Sequence, residues 1–166
     1  MKLKATACAI VLLGCTLGYA QLASAQACGA AQGTLTTSPF TGNNCNNQLA
    51  MQAVCANGDT LGGGGMDVIN MTLSGNTALT FTLTSTASAF TPFLAVAATT
   101  CSSSTSCIVD NAAASAAGSA TGNIAAGAAA GAYFIFVGNT ADGACGGYTL
   151  AFTGTLPVKL QDFSVN

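Results

Sequence analysis

From residue 67 onward apolar residues alternate with small polar ones, most plainly in Leu79-Thr80-Phe81-Thr82-Leu83-Thr84. A period of two puts the apolar side chains on one face of an extended strand and the threonines on the other, so the segment must be half-buried β structure. The same pattern predicts strands at about Val68–Leu73, Phe93–Ala98, Tyr133–Val137 and Tyr148–Thr153, separated by stretches rich in Gly, Asn, Ser and Asp. Weaker candidates are Gly33–Thr37, Cys107–Val109 and Gly122–Ala126. Short strands with frequent turn punctuation indicate an all-β fold, a disulfide-stabilised sandwich of about 7–9 short antiparallel strands. Its expected core is Leu79, Phe81, Leu83, Leu94, Val96, Ile135, Val137, Leu150 and Phe152.

The stretch from Ala112 to Ala132 competes with an all-β reading, because alanine is the best helix former and Asn111 is a capping residue type. Gly118, Gly122, Gly127 and Gly131 interrupt it, each costing about 1 kcal/mol in a helix interior. No charged face would solvate such a helix, so the expectation is loop, weak strand, loop.

Lys2 and Lys4, an apolar run from Ala5 to Leu17 and the small residues Ala23-Ser24-Ala25 have the layout of a signal peptide, residues 1–25, cleaved after Ala25. An alternative reading takes Leu12-Leu13-Gly14-Cys15 as a lipobox, with Cys15 acylated. The apolar run is shorter than the roughly 20 residues of a membrane-spanning helix, and no later run exceeds it. Cleavage leaves 141 of the 166 residues, the size of one domain over 26–154. The tail, 155–166, is marked off by Pro157 and reads as a further extended segment whose apolar residues need burial. They could cover a sheet edge of the same domain, add to a neighbouring copy, or be recognised during export.

Cys28, Cys45, Cys55, Cys101, Cys107 and Cys145 form an even set in an exported chain, hence three disulfides. Cys101 and Cys107 enclose a short polar loop and are the expected local pair. Three pairings exist for the other four; the preferred one joins Cys45 to Cys55 and Cys28 to Cys145. Zinc needs close-spaced ligands such as C-x₂-C, and the sequence has none.

Past residue 25 the chain has no His, Arg or Glu, and five Asp stand against the single Lys159, a net charge of −4. Binding to nucleic acid or an anionic membrane takes clusters of basic side chains, and they are absent. A nucleophilic hydroxyl needs a base to take its proton, and only Lys159, between Val158 and Leu160 near the terminus, could serve. A glycosidase needs two carboxylates facing each other across a groove, and there is neither Trp nor Arg to line one. The composition therefore indicates no catalytic residues and no cofactor.

Four segments, in order, resemble the bacterial pre-peptidase C-terminal (PPC) domain. Gly65-Met66-Asp67-Val68-Ile69-Asn70-Met71-Thr72-Leu73 is similar to its opening strand, in which Gly-x-Asp leads into alternating apolar residues. Thr91-Pro92-Phe93-Leu94-Ala95-Val96 resembles its Asp-Pro-x-Leu strand, with Thr91 in place of the acid. Ala130-Gly131-Ala132-Tyr133-Phe134-Ile135-Phe136-Val137 resembles its Ala-Gly-Thr-Tyr-Tyr-Ile-x-Val strand, and Gly147-Tyr148-Thr149-Leu150 its closing motif. The resemblance implies a jelly-roll-like sandwich acting as a non-catalytic accessory in secretion, folding or attachment. No protease domain precedes it here, so a stand-alone binding role follows by analogy alone.

The strongest local ligand candidate is Asn57-Gly58-Asp59-Thr60-Leu61-Gly62-Gly63-Gly64-Gly65-Met66-Asp67, where Asp59 and Asp67 flank a flexible turn. Calcium takes about six to eight oxygens and this loop supplies few, so a plain glycine-rich connection is the simpler reading. The glycine run lacks the GK[ST] ending of a phosphate loop. Thr80, Thr82 and Thr84 form one hydroxyl row that could order water, but Thr is also an ordinary strand surface residue. The expected function is non-catalytic binding of an extracellular protein or polysaccharide at the cell surface or in the medium; the alternative is a structural subunit that self-assembles through its tail into a fibre or matrix.

Overall fold

The computed structural model describes residues 31–46, 53–55, 59–60, 64–101, 106–113, 115–140 and 143–156. Among these residues there is no α-helix, one short 3-10 turn at Asn44–Asn46, and eleven strands. They are β1 (Gly33–Thr34), β2 (Phe40–Asn43), β3 (Ala53–Val54), β4 (Asp59–Thr60), β5 (Asp67–Leu73), β6 (Leu79–Ser85), β7 (Pro92–Ala98), β8 (Cys107–Ala112), β9 (Ser119–Ile124), β10 (Gly131–Asn139) and β11 (Gly147–Thr153). One sheet has the order β1-β5-β10-β7-β8 and the other β2-β11-β6-β9, while β3 and β4 pair only with each other. Pairing is antiparallel throughout except between β1 and β5, which run parallel. The result is the expected disulfide-stabilised β-sandwich.

The expected core lies between the sheets. Leu79, Phe81, Leu83, Leu94, Val96, Ile135, Val137 and Leu150 are buried in one cluster, and Phe152 packs half-buried against it. Tyr148, Phe90, Ile69, Met71, Leu73, Ile124 and Tyr133 are among its other members. The five-stranded sheet also buries its outer face: Val68, Phe93, Ala95, Ala97 and Phe136 pack there with Met66 and Cys55. Covered on both sides, β7 reads as the unbroken run Pro92-Phe93-Leu94-Ala95-Val96-Ala97. The four-stranded sheet keeps its outer face in solvent: β2, β6 and β9 alternate in burial along their whole length, and β11 does so over Gly147–Leu150.

The alanine-rich stretch folds as expected, into turns around one strand, although β9 begins three residues earlier than the alternation suggested. The glycines explain its place. A Cβ at Gly122 would land on Cγ1 of Val109 in β8, so only glycine lets the edges of the two sheets approach here. Asn111 Nδ2 in β8 donates to the Thr121 carbonyl of β9 at 2.7 Å, which ties the two edges together.

The disulfide pairing differs from all three expected pairs. Cys45 is bonded to Cys145 and Cys55 to Cys107, with Cα separations of 4.9 and 5.2 Å. Cys101 is disulfide-bonded too. Closeness in sequence was the wrong guide. The antiparallel register that sets Asn43 opposite Gly147 continues, one residue further in each direction at a time, to bring Cys45 opposite Cys145. Cys107 opens β8 opposite Ala97 and belongs to the cluster on the outer face of the larger sheet, where Cys55 is buried. Loops of 100 and 52 residues each restrict the unfolded chain by about 4–5 kcal/mol in the chain-entropy account. Residues 1–30, with the expected signal peptide, Cys15 and Cys28, lie outside the described residues, as do 157–166 of the tail. Replacing both Cys45 and Cys145 by Ser is expected to lower the unfolding free energy by about 4–5 kcal/mol in urea titrations, and non-reducing peptide mapping should recover the 45–145 and 55–107 linkages.

Candidate binding surfaces

One end of the sandwich is closed by buried polar side chains. Asn44, at the end of β2, donates from Nδ2 to the Gly65 carbonyl at 2.7 Å and accepts at Oδ1 from the Gly146 amide at 2.8 Å. Asn139, at the end of β10, accepts from the Thr91 amide at 2.9 Å and donates to the Ala144 carbonyl at 2.7 Å. Asn is usually a turn residue; at these two positions it satisfies the backbone of loops that would otherwise be buried without partners. Beside them the Tyr148 hydroxyl donates to Asp67 Oδ2 at 2.6 Å across the two sheets. A Cβ at Gly42 would fall on the Tyr148 ring, so glycine makes room for it. Burial, then the hydrogen bond to Asp67 and the negative charge of Asp67, push the Tyr148 phenol well above its ordinary pKa.

This arrangement uses one half of the calcium candidate. Asp67 is 2 % exposed and turns inward to Tyr148. Asp59 lies in β4, paired with Val54, and Asn57 and residues 61–63 lie outside the described residues. Among the described residues no group of three or more His, Cys, Asp or Glu is gathered as a metal site. Asp67 and Tyr148 belong to the first and last of the four motifs noted in the sequence, and the hydrogen bond joins them.

The outer face of the smaller sheet is different in kind. With Leu79, Phe81 and Leu83 inward, Thr80, Thr82 and Thr84 point out, and the neighbouring strands extend each of them sideways. Register places Thr41, Thr149, Thr84 and Ser119 in one row across β2, β11, β6 and β9. Ala151, Thr82 and Thr121 form the next row, and Thr153, Thr80 and Asn123 the third. Thr84 Oγ1 and Ser119 Oγ lie 3.1 Å apart and share a hydrogen bond. No charged and no aromatic side chain stands at any of these positions. Threonine holds few χ1 rotamers on a strand, so its hydroxyls are held in place before anything binds. The sequence showed one row; strand register makes it a two-dimensional array.

The third feature is a groove of about 440 Å³ along the junction of β8 and β9, lined by Ala98, Ile108, Ile124, Ala128, Ala129 and Tyr133. Ile108, 48 % exposed, is the one large hydrophobic side chain left in solvent among the described residues. The Tyr133 hydroxyl donates to the Ala129 carbonyl at 2.7 Å and holds the groove wall. Sequence reading missed Ile108 because it counted as part of a short weak strand, and only the edge position of β8 exposes it.

No family model matches the chain, and no curated protein matches it in sequence. No helix among the described residues is long and apolar enough to cross a membrane.

Tyr148→Phe should cost about 1–3 kcal/mol at neutral pH, because buried Asp67 loses a donor. The same change should alter the alkaline limb. In the folded protein the phenol stays protonated above the pH of about 10 at which the unfolded chain releases that proton, so its contribution is whole below that pH and lost as pH rises past it. Urea unfolding across pH 7 to 11 should therefore show a steeper loss for the unsubstituted protein than for Tyr148→Phe.

Proposed function

We propose that this protein is a non-catalytic extracellular binding domain and that the outer face of the smaller sheet is the surface it presents to a neutral polysaccharide. The observation that carries this reading is the array of three rows of uncharged, mostly hydroxyl side chains, the first across β2, β11, β6 and β9 and the other two across β11, β6 and β9. Such a face repels neither sign of charge and offers hydrogen bonds at the spacing of adjacent strands, about 4.8 Å. Each hydrogen bond to a sugar replaces one to water and so nets about 0.5–1.5 kcal/mol. Useful affinity then requires several rows acting on one polymer, and it should rise with polymer length.

Further support comes from the composition and from how the buried polar groups are used. Past residue 25 there is no His, Arg or Glu, and Asp67, Asn44 and Asn139 are engaged in holding the fold. The signal-peptide layout and the disulfides support export. The resemblance to the PPC domain supports an accessory role in attachment.

The reading is tested by co-sedimentation of the secreted protein with insoluble neutral polysaccharides (cellulose, cross-linked dextran) and with anionic alginate. Binding to a neutral polymer, weakened at least about tenfold by Thr82→Lys while the unfolding midpoint holds, is the expected outcome; a substitution on an exposed strand face costs little stability. Binding that ignores Thr82→Lys, or no retention on any neutral polymer, overturns it.

A further inference from the structure

One position breaks the hydroxyl rows. The outward residues of β11 are Thr149, Ala151 and Thr153, since Tyr148, Leu150 and Phe152 pack against the core. Register sets Ala151 opposite Thr82 of β6, with Thr84 opposite Thr149 and Thr80 opposite Thr153. On the other flank β2 has already ended, its Phe40 opposite Leu150. The chain before β2 nevertheless stays beside β11, because the Phe152 amide donates to Ser38 Oγ at 2.9 Å. Pro39, which is exposed, is thereby held alongside Ala151. Thr149, Thr153 and Thr82 surround Ala151 with hydroxyls, and Pro39 closes the remaining side. The Ala151 side chain stops at Cβ, so the surface is lower here by the hydroxyl and the methyl that a threonine adds.

A strand rises about 3.4 Å per residue, so Thr149 and Thr153 stand about 14 Å apart with Ala151 midway, and the neighbouring strand that carries Thr82 lies about 4.8 Å to the side. That interval takes one six-membered sugar ring lying flat. Such a ring has hydroxyls around its rim and, where these are equatorial as in glucose units, a bare face of C–H groups. An unbroken hydroxyl row meets only the rim. A methyl floor ringed by hydroxyls meets both: the C–H face lies over Ala151 and Pro39, while the rim exchanges hydrogen bonds with Thr149, Thr153 and Thr82. Covering the C–H face removes apolar surface from water. The hydrogen bonds alone supply little of that driving force, because each replaces one made to water. The threonines around the gap hold few χ1 rotamers, so its outline is set before a ring arrives.

We propose that Ala151 is the floor of a seat for one pyranose ring and the specificity-determining residue of this face, which selects polymers of glucose-like units by their bare C–H surface. The inference rests on the polysaccharide reading and deepens it. Hydroxyl number and seat shape make opposite demands at this one position: a threonine at 151 completes the second row, Thr82 and Thr121 included, and at the same time fills the seat.

The test is co-sedimentation of the full secreted chain with cellulose and with cross-linked dextran, for the unsubstituted protein, Ala151→Ser, Ala151→Thr, Thr82→Lys and, on the outer face of the larger sheet, Ala132→Thr. Threonine suits an exposed strand position, so Ala151→Thr should fold, and the urea midpoint of each variant reports that it has. Retention should fall by at least about tenfold in Ala151→Thr, where the added atoms clash with the seated ring. Ala151→Ser, which adds the hydroxyl without the methyl, should lie between, and Ala132→Thr should bind as the unsubstituted protein does. Equal or stronger retention of Ala151→Thr, with Thr82→Lys still weakened, overturns the seat and leaves the polysaccharide reading standing. No retention of the unsubstituted protein on either polymer overturns both.

Discussion

The ladder between β2 and β11 holds the two sheets in one arrangement. Its register places Asn43 opposite Gly147. From that follow the Asn44 bridge to Gly65 and Gly146, the Cys45–Cys145 bond and the position of Tyr148, whose hydroxyl reaches Asp67 on the other sheet. Four interactions of different kinds, a strand ladder, an amide bridge, a covalent link and a buried phenol–carboxylate pair, depend on one choice of register. A slip of one residue would turn Tyr148 and Leu150 to solvent and separate the cysteines.

The two sheets then divide the work. The larger one is buried on both faces, because Cys55, bonded to Cys107, and Met66 pack against its outside. The smaller one has a dry inner face and a wet outer face whose hydroxyls stand in rows. The chain has few charges, and the uncharged hydroxyl side chains of the smaller sheet are collected on its wet face. The junction of β8 and β9 is the other exposed feature, kept narrow by Gly122 against Val109 and left apolar by Ile108.

Much of the architecture was legible from alternation alone. Strands β5, β6, β7, β10 and β11 and the inter-sheet core emerged from it, since side-chain period depends only on local backbone geometry. Strand β2 was missed because Phe40-Thr41-Gly42-Asn43 is short and carries a glycine that reads as a turn. Asn44 and Asn139 looked like loop residues for the same reason, and nothing local marks them as buried. Asp67 was singled out as a charged residue near a flexible turn, but its partner Tyr148 is 81 positions away.

The sequence by itself determined that the chain is β-rich, poor in charge, rich in cysteine and short of catalytic side chains, because each of these depends on residue identity or on nearest-neighbour pattern. Tertiary structure alone decided which cysteines meet, that Asp67 is spent on Tyr148, that one threonine row becomes an array, and that Ile108 stands at an open edge. All four are facts about strands brought together across tens of residues, and strand order and register are set by burying the whole core at once rather than by any local segment.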